Sequence, residues 1–174
     1  MACIRIPDCV CRIVLCASLA CFATAASATS VQNQEAAAAA NKAVVAAAFD
    51  RWAAGGADFF NEVVAPEVVW TIEGSGPNSG AYNGRDDLMQ RAVRPLTTRL
   101  KTPIRPVSKQ LWADGEYVII SWKGEAIAGD DRPYTNSYVW ILRMEKARAV
   151  EVTAFLDLQA YDEVLRRVPQ PREG

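Results

Sequence analysis

Histidine is absent from the 174 residues. This excludes Ser-His catalytic pairs, histidine general bases and every metal site that uses an imidazole. All five cysteines lie near the N-terminus, at Cys3, Cys9, Cys11, Cys16 and Cys21. Beyond Cys21, disulfides, thiolate nucleophiles and cysteine metal sites are therefore excluded. Any catalysis by the rest of the chain must use carboxylates, Lys, Arg, Tyr, Ser, Thr or bound water.

The chain also lacks an excess of one charge, with 19 basic and 20 acidic side chains. Signs are interspersed, so the sequence presents no phosphate-binding surface and predicts no nucleic-acid partner. A glycine-rich phosphate loop and a paired-carboxylate metal cluster are likewise missing, because Gly74-Ser75-Gly76 is only a turn-rich loop. We expect neither a metal nor another cofactor.

The N-terminal residues have the pattern of a secretory signal peptide. Arg5 and Arg12 precede an apolar run over residues 13–22, and small residues follow. Small-x-small sites occur at residues 23–25 and 26–28, and we expect cleavage after Ala28. The predicted destination is outside the cytoplasm, in the periplasm, on the outer surface or in the medium.

Two alternatives to cleavage after Ala28 remain open. An uncleaved membrane anchor is disfavoured because the apolar run is far shorter than the roughly 20 residues that span a bilayer. A lipid anchor on Cys21 is the other, since Leu19-Ala20 precede it, although Ser18 stands where such signals have a large aliphatic residue. After signal removal we expect no association with a membrane.

Removal of 28 residues leaves 146, with 17 basic and 19 acidic side chains. This is one domain of ordinary size, which can bury roughly two-thirds of its unfolded surface. We predict a flexible segment over residues 29–40, in which the alanine run favours helix, then a domain over residues 41–168 and a tail over 169–174.

Helices come first in the predicted domain. A helical period runs from Val44 to Trp52 and ends at Gly55-Gly56, and Asp58 is placed to cap a short second helix. Residues 73–84 read as a loop, and a third helix follows that Pro95 kinks or ends. A last helix is predicted over residues 158–168.

Period-two alternation dominates the second half of the chain. It predicts strands over residues 68–72, 104–113, 117–127, 134–144 and 149–155. Asp114-Gly115 is a strong hairpin signal between the second and third of these. Helices followed by long strands indicate an α+β fold, in which a strongly bent antiparallel sheet wraps around helices.

One face of the strand over residues 134–144 combines hydrogen-bonding groups with large rings, because Tyr134, Asn136, Tyr138 and Trp140 alternate along it. Such a face suits the wall of a pocket for a small, largely apolar molecule. The predicted ligand-binding residues are Trp70, Tyr82, Asn136, Tyr138 and Trp140. Packing in the core is the alternative for all five.

Asp157 and Glu125 are the candidate catalytic acids. Asp157 lies between the last strand and the last helix, where it can either face a pocket or cap the helix. Glu125 interrupts a strand rich in Val, Ile and Trp, so it faces a pocket, solvent or a second copy of the chain. An apolar pocket would raise the pKa of either carboxyl enough for proton exchange near neutral pH.

The order of elements, the loop GSGPNSGAYNGRDDL (residues 74–88) and the ending VTAFLDLQAYDEVL (residues 152–165) resemble the nuclear transport factor 2-like superfamily, in its SnoaL-like and ketosteroid-isomerase-like branch. The resemblance extends from about residue 41 to residue 168. It implies a cone-shaped α+β barrel, a pocket and a homodimer. Enzymes and proteins that only bind ligands or partners both occur in this superfamily.

The catalytic groups of the relatives are not retained in this alignment. The tyrosine of ketosteroid isomerases falls on Phe49, their catalytic aspartate on Thr71 and their oxyanion aspartate on Trp140. Limonene-type epoxide hydrolases are matched in charge by Lys123-Gly124-Glu125, but their second aspartate falls on Ala154. The resemblance therefore does not imply steroid isomerisation or epoxide hydrolysis here.

Two functions remain open. The first is a cofactor-independent isomerase, cyclase or hydrolase that uses Asp157 or Glu125 on a small apolar substrate. The second is an exported binding protein that uses the same pocket without chemistry. In either case the strands carry apolar residues on both faces, which predicts a homodimer through the outer face of the sheet.

Overall fold

The computed structural model describes residues 14–56 and 59–170, with side chains from residue 30 onward. Asp58, the predicted cap of the second helix, lies outside the described residues, as do Arg5, Arg12 and residues 171–174. Within the described part, no helix combines the length and apolarity needed to cross a membrane.

The first helix, α1, extends over Val14–Ala53. Its C-terminal part packs on the sheet through Val45, Ala48 and Phe49, which are all buried. The helix ends where Gly55, at φ 90°, donates its N–H to the carbonyl of Trp52, as glycine permits at a helix C-terminus. Residues 29–40, expected to be a flexible segment, continue the helix here, in keeping with the helix propensity of their alanine run.

Shorter helices complete the helical part of the domain. Helix α2 covers Phe59–Val63. The predicted third helix comprises α3 (Arg85–Leu88), a π-helical turn (Met89–Val93) and α4 (Arg94–Thr97), which follow one another directly. Pro95 cannot donate the backbone bond expected in this helix, yet the helix continues to Thr97. The last helix, α5, covers Leu158–Arg167.

Six strands form one sheet in the order β2-β1-β6-β5-β4-β3. Their bounds are Val64–Ile72 (β1), Gly80–Asn83 (β2), Arg105–Asp114 (β3), Tyr117–Ile127 (β4), Pro133–Glu145 (β5) and Arg148–Leu156 (β6). The α+β fold is confirmed. The sheet is mixed rather than wholly antiparallel, however, because β1 pairs with β6 in parallel.

Strand β2 corrects the prediction of a continuous loop over residues 73–84. It pairs antiparallel with β1, which places Trp70 opposite Tyr82. The residues around this strand are rich in Gly, Ser, Asn and Pro, so intrinsic propensity predicts a loop. Its backbone hydrogen bonds with β1 make it a strand nevertheless. Strand β1 also begins at Val64, four residues earlier than predicted, and its register with β6 shifts between Val64 and Val69.

The end of β6 is joined to β5 by a side chain. The Asn136 amide donates to the carbonyl of Asp157 at 2.9 Å and accepts from the N–H of Asp157 at 3.0 Å. These two bonds replace a backbone partner at the point where β6 ends. The Asp157 carboxylate then accepts from the N–H of Ala160 at 3.1 Å, which makes Asp157 the N-cap of α5.

Asp157→Ala should lower the free energy of unfolding by about 1 kcal/mol, because the N–H of Ala160 loses its acceptor. Asp157→Asn should cost less than half as much, since asparagine is an equally good N-cap. Thermal and urea unfolding of the two variants measure this difference. Equal stability of Asp157→Ala and the wild type would contradict the capping role.

Gly124 is required by the rings beside it. A Cβ at this position would lie 2.8 Å from the Trp122 ring, 2.9 Å from Ile104 and 3.2 Å from the Tyr138 ring. Gly124 lies opposite Asn136 on β5, two pairs along from Trp122 and Tyr138 and on the same face of the sheet. The two rings therefore occupy the space above the strand that a side chain would fill.

Gly124→Ala should destabilise the protein by roughly 1–3 kcal/mol, as overpacking does where rings cannot move freely. It should also change the near-ultraviolet circular dichroism, because the Trp122 and Tyr138 rings must shift. Ser137→Ala, at an exposed position on the adjacent strand, is the control and should leave both measurements unchanged. An unaltered spectrum in Gly124→Ala would show that the rings do not depend on this glycine.

Candidate ligand site

A cavity of about 490 Å³ lies between the inner face of the sheet and the helices. Residues from α1, α2, the helical segment over residues 85–97, β1, β4, β5, β6 and α5 all contribute to its wall. Most of the wall is apolar. Its aromatic residues are Trp52, Phe59, Phe60, Trp70, Trp122, Tyr138, Trp140 and Tyr161.

The inner end of the cavity is a cluster of mutually packed rings. Trp140 packs edge-on against Trp70 at 5.1 Å and against Trp122 at 5.0 Å. Phe49 lies behind them, with its ring centre 5.4 Å from that of Trp122 and 4.8 Å from that of Phe59. Edge-to-face contacts of this kind stabilise aromatic pairs beyond the area they bury.

Trp122 and Tyr138 lie opposite each other on β4 and β5 and stack face to face. Their ring centres are 4.0 Å apart and their planes differ by 11°. Both residues are almost fully buried and both line the cavity. Among the described residues, the indole N–H of Trp122 has no hydrogen-bond partner.

The other end of the cavity is polar and exposed. Thr97, Lys101 and Thr102 contribute to the wall there, and all three are exposed to solvent. Lys101 forms an ion pair with Asp131. The described wall contains no carboxylate, so its ionisable groups are Lys101, Tyr138 and Tyr161.

Three of the five predicted ligand-binding residues line the cavity, namely Trp70, Tyr138 and Trp140. Tyr82 is buried outside the wall, where its hydroxyl donates to the carbonyl of Asn78 at 3.0 Å and the Arg91 guanidinium lies over its ring. Asn136 is also outside the wall, because its amide is committed to the junction between β6 and α5.

Neither candidate acid reaches the cavity. Asp157 is exposed and caps α5. Glu125 is exposed on the outer face of the sheet, between Arg105 and Thr135 in the strand register. The structure therefore does not bring the two carboxylates together, and the catalytic role predicted for them stays a prediction. Within the described residues, no group of three acidic side chains could hold a metal.

A chain of hydrogen bonds runs along β5 beside the cavity. The Asn136 amide donates to the hydroxyl of Tyr134 at 2.9 Å, and the hydroxyls of Tyr134 and Tyr138 lie 2.9 Å apart. Burial raises the pKa of both phenols. Both therefore stay protonated and neutral at physiological pH.

Tyr161 supports the wall from α5. Its hydroxyl donates to the carbonyl of Ala92 in the π-helical turn at 2.7 Å, and burial raises its pKa. The sequence analysis missed Tyr161, Trp52 and Trp122 as wall residues. Helical spacing placed Trp52 on the buried face of its helix, and strand alternation placed Trp122 on one of two apolar faces. Neither signal distinguishes a cavity wall from a packed core.

Comparisons with known proteins agree with this architecture. The family model for the SnoaL-like domain matches residues 45–152. No curated protein matches the chain. Among solved structures, Bal32a from a soil-derived mobile gene cassette has a TM-score of 0.61 at 17% identity, covering 75% of this chain and 99% of that one.

Two further solved structures have the same fold. TerC, co-crystallised with polyporic acid, has a TM-score of 0.57 at 16% identity, covering 72% of this chain and 98% of its own. A protein from Jannaschia sp. CCS1 named as a SnoaL-like polyketide cyclase has a TM-score of 0.55 at 16% identity, covering 74% and 93%. The chain belongs to the SnoaL-like domain family and has the nuclear transport factor 2-like fold.

Proposed function

We propose that this chain binds a small, largely apolar molecule in the cavity. The observation that carries the proposal is a cavity of about 490 Å³ whose wall is mostly apolar and aromatic. Sites for small molecules have this size and composition, with a few polar groups that orient the ligand. Export after cleavage at Ala28 stays a prediction from the N-terminal residues.

The cavity is unusual as part of a core. Protein interiors are packed as densely as organic crystals and contain few voids larger than a water molecule. Here the wall includes residues that are almost fully buried, such as Leu88 and Trp140, and also exposed ones such as Thr102. An apolar chamber with a polar entrance favours uptake of a ligand from solution.

The aromatic wall favours a ligand that itself contains rings. Flat apolar surfaces on Trp70, Trp122 and Trp140 provide stacking and edge-on contacts. TerC, which shares the fold, was co-crystallised with polyporic acid, and another protein of this fold is named as a polyketide cyclase. Because these proteins share only the fold with this chain, their names support the proposal of a ring-containing ligand without identifying it.

Catalysis is the second candidate function, as a cofactor-independent isomerase, cyclase or hydrolase. The name of the Jannaschia protein favours it. In the part of the chain that the structure describes, however, the wall offers no carboxylate base, and its phenols are neutral because burial raises their pKa. Proton transfer by Asp157 or Glu125 would require either side chain to leave its exposed position. Binding without chemistry therefore fits the geometry better.

Ala154→Leu should weaken the binding of 1-anilinonaphthalene-8-sulfonate roughly tenfold, because Ala154 is a buried wall residue and added methylenes occupy ligand space. Fluorescence titration measures the Kd, and thermal unfolding shows that the variant is folded. Glu125→Gln and Asp157→Asn are the controls and should bind as the wild type does. Unchanged binding by folded Ala154→Leu would place the probe elsewhere and contradict the proposal.

We also propose a homodimer through the outer face of the sheet. On this face Trp112 lies opposite Ile119, Ile119 lies opposite Ile141, and Val139 lies opposite Phe155. Trp112 and Phe155 remain 46% and 45% exposed, although both are large apolar residues. A contiguous apolar patch on a sheet indicates a partner, and a second copy supplies the same self-complementary surface.

Trp112→Glu should convert the dimer to a monomer, because a carboxylate buried without a partner in such a patch is strongly unfavourable. Size-exclusion chromatography with light scattering measures the mass at micromolar concentration. Val31→Glu, which changes an exposed apolar residue of α1, is the control and should leave the dimer intact. A wild-type protein that is monomeric under these conditions would refute the assembly.

A further inference from the structure

The orientation of the Asn136 amide is fixed by its partners. Its oxygen accepts from the backbone N–H of Asp157, and its nitrogen donates to the carbonyl oxygen of Asp157. The reversed orientation would place the amide oxygen against the carbonyl oxygen of Asp157 and the amide NH₂ against the N–H of Asp157. The second hydrogen of the same nitrogen therefore points to the Tyr134 hydroxyl, which accepts it at 2.9 Å.

One hydroxyl hydrogen in the pair of Tyr134 and Tyr138 has no acceptor among the described residues. The two hydroxyls share a single hydrogen bond of 2.9 Å, and each phenol carries one hydrogen. If Tyr138 donates to Tyr134, the hydrogen of Tyr134 is left over. If Tyr134 donates to Tyr138, the hydrogen of Tyr138 is left over.

The surroundings of the two phenols decide between these arrangements. Tyr134 is 2% exposed, packs in a second apolar cluster with Leu96, Ala126 and Val164, and is not itself a wall residue of the cavity. A donor buried there without an acceptor is destabilising. Tyr138 lines the cavity, where water or a ligand can accept its hydrogen. The favoured direction is therefore Asn136 to Tyr134 to Tyr138 to the cavity.

Successive donation along this chain strengthens the last donor, because each hydrogen bond polarises the next. Stacking on Trp122 holds the Tyr138 ring in place, and the missing side chain at Gly124 leaves room for it. Tyr138 therefore contributes an oriented donor to a wall that is mostly apolar. Such a donor discriminates strongly between ligands, since a buried polar group left unpaired is costly.

We propose that the Tyr138 hydroxyl donates a hydrogen bond to an acceptor oxygen of the ligand. This inference rests on the proposed binding function and names the ligand class, which is apolar, ring-containing molecules that carry a carbonyl or a comparable oxygen. Aromatic walls also attract organic cations. Among the described residues, however, the wall contains no carboxylate to pair with an ammonium group, which favours a ligand oxygen over a cation.

Two probes of nearly equal shape test the assignment with the full chain. 2-Acetylnaphthalene carries a carbonyl, and 2-ethylnaphthalene lacks it. After correction for the difference in water solubility, the wild type should bind the ketone more tightly than the hydrocarbon. Tyr138→Phe should reduce this ratio of affinities roughly three- to tenfold, which is the equivalent of one neutral hydrogen bond. Tyr117→Phe, at an exposed position of β4, is the matched control and should retain the preference.

Infrared spectroscopy of the bound ketone provides a second readout. The carbonyl stretch should lie at lower frequency in the wild type than in Tyr138→Phe, and Tyr134→Phe should give an intermediate value because Tyr138 keeps its hydroxyl but loses its donor. A frequency unaffected by Tyr138→Phe, with both probes still bound, overturns the hydrogen bond and leaves the binding function intact. Failure of the wild type to bind either probe contradicts the binding function itself.

Discussion

The stack of Trp122 on Tyr138 above Gly124 is the constraint on which the cavity depends. Both rings extend over Gly124, the one inner position of β4 that has no side chain, and stack on each other there. The ring of Trp140 packs edge-on against both members of this pair. Stiff rings held in this way do not collapse into the space beside them, and a chamber remains between sheet and helices.

The polar interactions that close the domain also define the chemistry of the chamber. Asn136 joins the end of β6 to the start of α5 and, through its remaining hydrogen, begins the chain of hydrogen bonds to Tyr138. A single amide thus contributes to the fold and orients a donor at the cavity. No acidic residue lines the described part of the chamber, by contrast, so its wall presents donors without a carboxylate acceptor.

Sequence reasoning predicted the elements that depend on periodicity. Alternation along β5 identified the wall residues Tyr138 and Trp140, the strand predicted over residues 68–72 contributed Trp70, and the pair Gly55-Gly56 marked the end of α1. It missed β2, whose pairing with β1 is a long-range contact that local composition does not reveal. It could not tell whether Asn136 and Tyr82 face a ligand or satisfy backbone groups, because that choice depends on partners distant in sequence.

The most direct test of the account is a crystal structure of the chain grown with 2-acetylnaphthalene. The account predicts that the naphthalene rings lie in the cavity between Trp140 and the helical segment over residues 85–97, with the ketone oxygen within hydrogen-bond distance of the Tyr138 hydroxyl. An empty cavity at saturating ketone, or a ketone bound with its oxygen away from Tyr138, would contradict it.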